Sequence, residues 1–109
     1  MRQQSVQAVK SSYAATIGIM ALFTVILEFD GGTYISQFRA ASAQTAAVKH
    51  AAQLVGNEAV GRLATRKRIA HGLSSDRPVA IEGVRNVWCC SISIGKRFAL
   101  VNIVATSEA

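Results

Sequence analysis

The stretch LEFDGGTYISQF, from Leu27 to Phe38, contains a Gly-Gly pair between two apolar runs. A two-residue loop at Gly31-Gly32 would place Phe29 opposite Tyr34 and collect the apolar side chains on one face of a strand pair, with polar ones on the other. Two glycines also supply the positive φ angles of a tight turn. A phosphate-binding loop would lead straight into a helix, whereas here a second strand follows. The pair therefore predicts a β-hairpin turn.

Chain length and charge limit the possible functions. The chain has 109 residues, half of them hydrophobic, and a formal net charge of +6. One domain of this size buries roughly two-thirds of its unfolded surface. The positive excess is compatible with nucleic acid, an anionic membrane surface or an acidic protein as a partner.

The two cysteines are adjacent, at Cys89 and Cys90. Neighbouring residues of a strand point to opposite faces, so this pair cannot form an ordinary disulfide framework. We therefore predict a reduced, cytoplasmic protein.

The N-terminal part of the chain allows more than one interpretation. Tyr13 to Leu27 is uncharged and follows Arg2 and Lys10, as in a secretory signal. Export through a signal within residues 1–27 is therefore an alternative to a cytoplasmic location. A membrane span is not expected, because the apolar run is shorter than the ~20 residues a spanning helix needs. Met20 is also a plausible chain start, which would make residues 1–19 a loose extension.

The order of predicted elements indicates an α+β fold. Residues 1–19 are expected to form an N-terminal arm, either ordered or disordered, and residues 20–109 a single α+β domain. Strands are predicted at 22–29, 33–40, 86–94 and 97–106. Between the hairpins, Ser42 is a good N-cap for a helix ending near Gly56, and a second helix is predicted from Glu58 to Ala70, closed by Gly72.

These elements predict a four-stranded antiparallel sheet made of two hairpins, in the order β-β-α-(α)-β-β, with one or two helices packed on one face. The second hairpin turns at Gly95-Lys96. A two-residue loop would pair Trp88 with Ile103, and a three-residue loop would pair Trp88 with Val104. The sequence leaves both registers open.

The densest cluster of positive charge follows the first helix. The run RLATRKRIAHG contains Arg62, Arg66, Lys67, Arg68 and His71. Such a cluster favours binding of nucleic acid or of an acidic partner, because cations on one surface release counterions together. The alternative is a solvated helix end, where basic residues also complement the macrodipole. The run has no interleaved aromatic residue for base stacking.

No constellation in the sequence predicts chemistry. His50 and His71 have no Cys or carboxylate at metal-ligand spacing, and His50 is predicted to be exposed on the polar side of its helix. Pairing of Cys89 with a histidine would need a contact that the sequence does not show. Trp88 is expected in the core. We therefore expect no catalytic residue, no metal site and no cofactor.

The apolar content of the last strand predicts self-association. Phe98, Leu100 and Val104 share one face, and Ala99, Val101 and Ile103 share the other. One helical layer covers only one face of a sheet, so the other face is expected to meet a second subunit in a homo-oligomer, most simply a dimer. The alternative is that residues 1–19 fold back as a cover.

These observations favour a non-enzymatic, self-associating interaction module that contacts nucleic acid or an acidic protein through residues 62–71. The alternative is a small-molecule-binding protein or minor enzyme, with a pocket between sheet and helix or at a subunit interface.

The opening of the chain resembles one known family. The stretch FTVILEFDGGTYISQFRA…AQTAAVKHA has the Gly31-Gly32 turn, the aromatics Tyr34 and Phe38, and an alanine-rich helix with Ala47 and Ala51. This combination resembles HicB-type antitoxin domains. The resemblance covers about a third of the chain and implies a β-β-α beginning. As a whole, the chain resembles a small bacterial protein family.

Overall fold

The computed structural model describes residues 20–106, so the predicted N-terminal arm, residues 1–19, lies outside the described residues. The elements are β1 (Ala21–Phe29), β2 (Gly32–Ala40), α1 (Ala43–Leu54), a 3-10 turn (Glu58–Val60), α2 (Leu63–Ser75), β3 (Val79–Ala80), β4 (Val87–Ile94) and β5 (Arg97–Thr106). The strands form one antiparallel sheet in the order β2-β1-β5-β4-β3. The predicted α+β class with an antiparallel sheet is confirmed.

The sheet has five strands, and the prediction of four is wrong. The additional strand, β3, contains only two residues, with Val79 opposite Cys89 and Ala80 opposite Trp88. Two residues are too few to show the period-2 alternation from which strands are recognised. The pairing exists because the chain after α2 returns along the free edge of β4.

The first hairpin turns one residue earlier than predicted. Its two loop residues are Asp30 and Gly31, both with positive φ (52° and 84°), and Phe29 pairs with Gly32. The predicted pairing of Phe29 with Tyr34 is therefore wrong by two residues, and Tyr34 lies opposite Leu27 instead. The assignment of side chains to the two faces is unchanged, because a shift of two residues preserves the alternation. Asp adopts the left-handed region more readily than most residues, which permits this turn.

The second hairpin has the two-residue loop, with Trp88 opposite Ile103 and Ile94 opposite Arg97. Gly95 takes the positive φ angle of 61° at this turn. The two hairpins meet where β1 pairs with β5, so the sequence-distant hairpins form one continuous sheet.

The helices follow the predicted order with different limits. The Ser42 side chain accepts a hydrogen bond from the Thr45 amide at 3.1 Å, which confirms the predicted N-cap of α1. The predicted second helix divides into the 3-10 turn and α2, separated by Gly61 at φ 151°. Gly72 does not end α2 but lies inside it.

Both helices pack on one face of the sheet, and the core lies between. The buried residues from β1 are Phe23, Val25, Leu27 and Phe29, and those from β5 are Ala99, Val101 and Ile103. The helices contribute small residues from α1 and larger ones from α2, including Ala46, Ala47, Ala51, Ile69 and Leu73. The opposite side of the sheet, called the open face below, has no helix of residues 20–106 packed on it. None of the helices formed by residues 20–106 is sufficiently long and apolar to cross a membrane.

Candidate interaction surfaces

Arg66 is a structural residue of the fold. Only 9 % of its surface is exposed. Its Nε donates to the Gly61 carbonyl oxygen at 2.9 Å, and its guanidinium also donates to the Val55 carbonyl oxygen at the end of α1. These bonds fix the connection between α1 and α2. Arg66 is therefore not presented to a partner, although the sequence grouped it with the other cations.

The remaining members of the predicted cluster, Arg62, Lys67, Arg68 and His71, are all exposed. We call these four residues the basic surface. Lys67, Arg68 and His71 lie on α2, which contains no acidic residue. Within residues 20–106 the cations of this surface form no ion pair. His71 Nε2 lies 3.3 Å from the Ser75 hydroxyl. The surface therefore keeps its positive charge available to an external anion.

The open face presents exposed apolar side chains on three of its five strands. Ile35 of β2 is 63 % exposed, Val79 of β3 is 64 % exposed and Phe98 of β5 is 65 % exposed. Apolar positions that are half-buried continue between them: Leu22, Ile26, Val87 and Val104. Among the strand residues of the described part of the chain, Glu28 and Arg39 are the only charged ones whose side chains belong to the open face, and they have opposite signs. The open face is therefore partly apolar and nearly neutral.

A shallow cleft lies at the tip of the first hairpin. It has a volume of about 350 Å³ and is lined by Gly31 and Gly32 together with Glu28 and Asp30, among others. The Asp30 carboxylate is 3.3 Å from the Arg97 guanidinium, which lies over the Phe29 ring at 5.0 Å. Two carboxylates beside the glycines disfavour an anion there. The region therefore serves as a hairpin turn, with Gly31 in the turn and Gly32 at the start of β2.

A larger cleft of about 420 Å³ opens where the sheet meets the start of α1. It is lined by Phe23, Ala41, Ser42, Ala43, Gln44, Arg77, Pro78 and Trp88. Trp88 is half-buried and packs on Phe23, with ring centroids 5.9 Å apart and planes inclined by 57°. Trp88 was expected in the core, but it packs against the edge of the core and also lines this cleft.

His50 is buried, and the prediction that it is exposed is wrong. It is 2 % exposed, and neither ring nitrogen has a hydrogen-bond partner among residues 20–106. The edge of its ring faces Phe38 at a centroid distance of 6.1 Å. Burial lowers the pKa of His50 below its ordinary value. The imidazole is therefore held neutral in an apolar environment, where it fills space.

The cysteines are both free thiols, with Cys89 half-buried on the open face and Cys90 buried beneath the helices. Burial, followed by the neighbouring Cys89 and Asp76, raises the pKa of Cys90 to about 11. A thiol with this pKa stays protonated at neutral pH and is a poor nucleophile. Across residues 20–106, no three His, Cys, Asp or Glu side chains are grouped so that they could hold a metal ion.

Comparison of the chain with known protein families, curated proteins and solved structures found no significant match. The resemblance to HicB-type antitoxin domains therefore stays a prediction.

Proposed function

We propose that the protein is a non-enzymatic interaction module that forms a homodimer through the open face and binds an anionic partner through the basic surface. The observation that carries the proposal is the exposure of Ile35, Val79 and Phe98 on a sheet face on which no helix of residues 20–106 packs. Exposed apolar surface of this kind marks interaction sites on soluble proteins.

The size of the open face suits a dimer. Five strands of mostly 8 to 10 residues span roughly 600 Å² in projection, at ~3.3 Å per residue and ~4.8 Å between strands. A stable interface buries about 800 Å² of accessible surface per partner, and a corrugated surface exceeds its projection. Each apolar Å² removed from water contributes about 25 cal/mol. A second copy therefore covers the face with the area that a specific dimer needs.

Charge also favours a second copy on this face. The whole chain carries +6, so two copies repel each other when their basic regions meet. The open face contributes only Glu28 and Arg39, whose charges cancel. An anionic partner gains nothing there, whereas two partly apolar, nearly neutral faces associate without this repulsion.

The basic surface supports the second half of the proposal. Arg62, Lys67, Arg68 and His71 are exposed on or beside one helix, and no carboxylate on that helix neutralises them. A nucleic acid is the partner we expect, because each phosphate neutralised releases a counterion. The four side chains have no exposed aromatic platform beside them on α2, so binding is expected to depend on charge and not on base identity. Two free thiols are consistent with a reducing cytoplasm as its location.

The dimer is tested by sedimentation of the full chain and of a chain starting at Met20. We expect both to dimerise at tens of micromolar, and the double variant I35T/F98T to be monomeric. Leu63→Thr is the matched control, because Leu63 is 47 % exposed but lies on α2, away from the open face. Monomeric, soluble behaviour of both chains would refute the dimer. If the full chain is monomeric and the chain starting at Met20 is dimeric, residues 1–19 would be the segment that covers the open face.

The anionic partner is tested by titrating mixed-sequence DNA and RNA at several salt concentrations. We expect binding that weakens as salt rises, and the double variant K67Q/R68Q to lower the salt slope by about 2. Arg85→Gln is the control, since Arg85 is exposed in a loop outside the basic surface. Absence of binding at low salt would exclude nucleic acid and leave an acidic protein as the candidate partner.

A further inference from the structure

The cleft beside Trp88 combines an aromatic wall with a cation and has no carboxylate. Its lining includes the aromatic residues Phe23 and Trp88 and the small residues Ala41, Ser42 and Ala43. Arg77 is exposed at its rim and forms no ion pair within the described part of the chain. Of the residues that line the cleft, Arg77 is the only one that carries a charge.

The shape of this cleft favours a flat ligand. Its volume of about 420 Å³ is within the roughly 300–1,000 Å³ typical of small-molecule sites. Trp88, which is half-buried, offers stacking and edge contacts to a ring, whereas Phe23 is buried and packs against Trp88. The small side chains of Ala41, Ser42 and Ala43 leave a gap in the lining, and the Ser42 hydroxyl is engaged with the Thr45 amide at 3.1 Å. The gap therefore suits one or two rings without a branched substituent.

The polar groups of the cleft favour an anionic substituent. A guanidinium group, as on Arg77, is suited to bidentate contacts with carboxylate and phosphate oxygens, which Lys cannot make. Gln44, half-buried on α1, supplies an amide that donates or accepts a hydrogen bond. A cationic ligand would meet Arg77 without any compensating carboxylate in the lining.

We propose that the cleft between Phe23, Trp88 and Arg77 binds a small planar aromatic anion, with the ring against Trp88 and the carboxylate or phosphate on Arg77. This binding site is separate from the dimer interface on the open face and from the basic surface. Its failure would leave both of those proposals in place.

Trp88 makes the site directly observable, because it is the only tryptophan of the chain. Titration of the full chain with benzoate and with phenyl phosphate is expected to change Trp88 emission saturably, with a Kd of about 1 mM or tighter. Benzamide, which has the same ring without the charge, is expected to bind at least about tenfold more weakly. The more tightly bound of the two anions identifies the preferred substituent.

Variants separate the ring contact from the charge contact. We expect Arg77→Gln to weaken benzoate binding about tenfold and to leave benzamide unchanged, whereas Arg85→Gln changes neither. Trp88→Phe retains a ring, and its benzoate affinity is measured by calorimetry. The proposal is overturned if neither anion gives a saturable signal at ligand concentrations up to about ten times the expected Kd. Equal affinity for benzoate and benzamide, or an unchanged affinity in Arg77→Gln, would overturn it as well.

Discussion

Gly72 of α2 lies directly against Ile92 of β4. A Cβ atom on Gly72 would stand 2.7 Å from Ile92 Cγ1 and 2.9 Å from Cγ2, closer than such atoms approach in proteins. Ile92 is buried, so it cannot move away without disturbing the core. The absence of a side chain at position 72 therefore sets the distance between helix and sheet.

We expect Gly72→Ala to lower the free energy of unfolding by about 1–2 kcal/mol, because the overpacking outweighs the better helix propensity of Ala. Urea denaturation measures this change. Gly56→Ala is the control, since the Cβ of an alanine there would lie at an ordinary 3.7 Å from the Gln53 carbonyl oxygen. Equal stability of Gly72→Ala and the unmodified protein would contradict the close contact.

Removal of Arg66 is expected to destabilise the connection between the helices. Arg66→Met keeps the apolar stem but leaves the carbonyls of Val55 and Gly61 without their donor. Hydrogen bonds from a charged group contribute about 1.5–3 kcal/mol each, so we expect a loss of at least about 2 kcal/mol. Lys67→Met, at the neighbouring exposed position, should change stability by less than about 0.5 kcal/mol. If both variants unfold at the same urea concentration, Arg66 does not have this role.

The buried His50 predicts acid sensitivity. Its pKa is lower in the folded protein than in the unfolded chain, so the unfolded chain binds the proton first. Stability is therefore complete above the unfolded pKa of about 6.5 and falls as the pH drops toward the lower, folded value. Urea denaturation between about pH 8 and pH 5 measures the slope.

His50→Leu is expected to reduce this slope and to be at least as stable at neutral pH, because it removes two buried nitrogens without partners. His71→Gln, at an exposed position, should retain the slope. A pH dependence that is the same in all three proteins would show that His50 does not cause it.

Different substitutions of Gly31, in the turn of the first hairpin, are expected to lower stability by different amounts. A Cβ on Gly31 would meet nothing within 4 Å, so only its positive φ of 84° opposes a side chain. We expect Gly31→Ala to cost about 1 kcal/mol and Gly31→Asn to cost less, because Asn tolerates this region better. Thermal unfolding of the two variants compares them directly. If Gly31→Ala were more stable than Gly31→Asn, the positive φ angle at residue 31 would not be what opposes a side chain there.

Local features of the sequence determined the faces of both hairpins and the start of α1. The alternation around Val25 and Leu27 assigns these side chains to the core both in the predicted register and in the observed one, because the two differ by two residues. Ser42 acts as an N-cap through a bond within its own first turn. Each of these features involves neighbours in the chain, which is why the pattern alone was sufficient.

Tertiary packing decided the features that combine distant parts of the chain. The rotation of α1 against the sheet buries His50 and leaves Val48 exposed, although their polarity alone predicts the opposite arrangement. Arg66 is buried because two carbonyls outside α2 accept its hydrogen bonds. The cleft exists only where Trp88 and Arg77 come close to the start of α1. Burial and proximity of this kind depend on which elements meet, and the periodicity of a single segment carries no information about that.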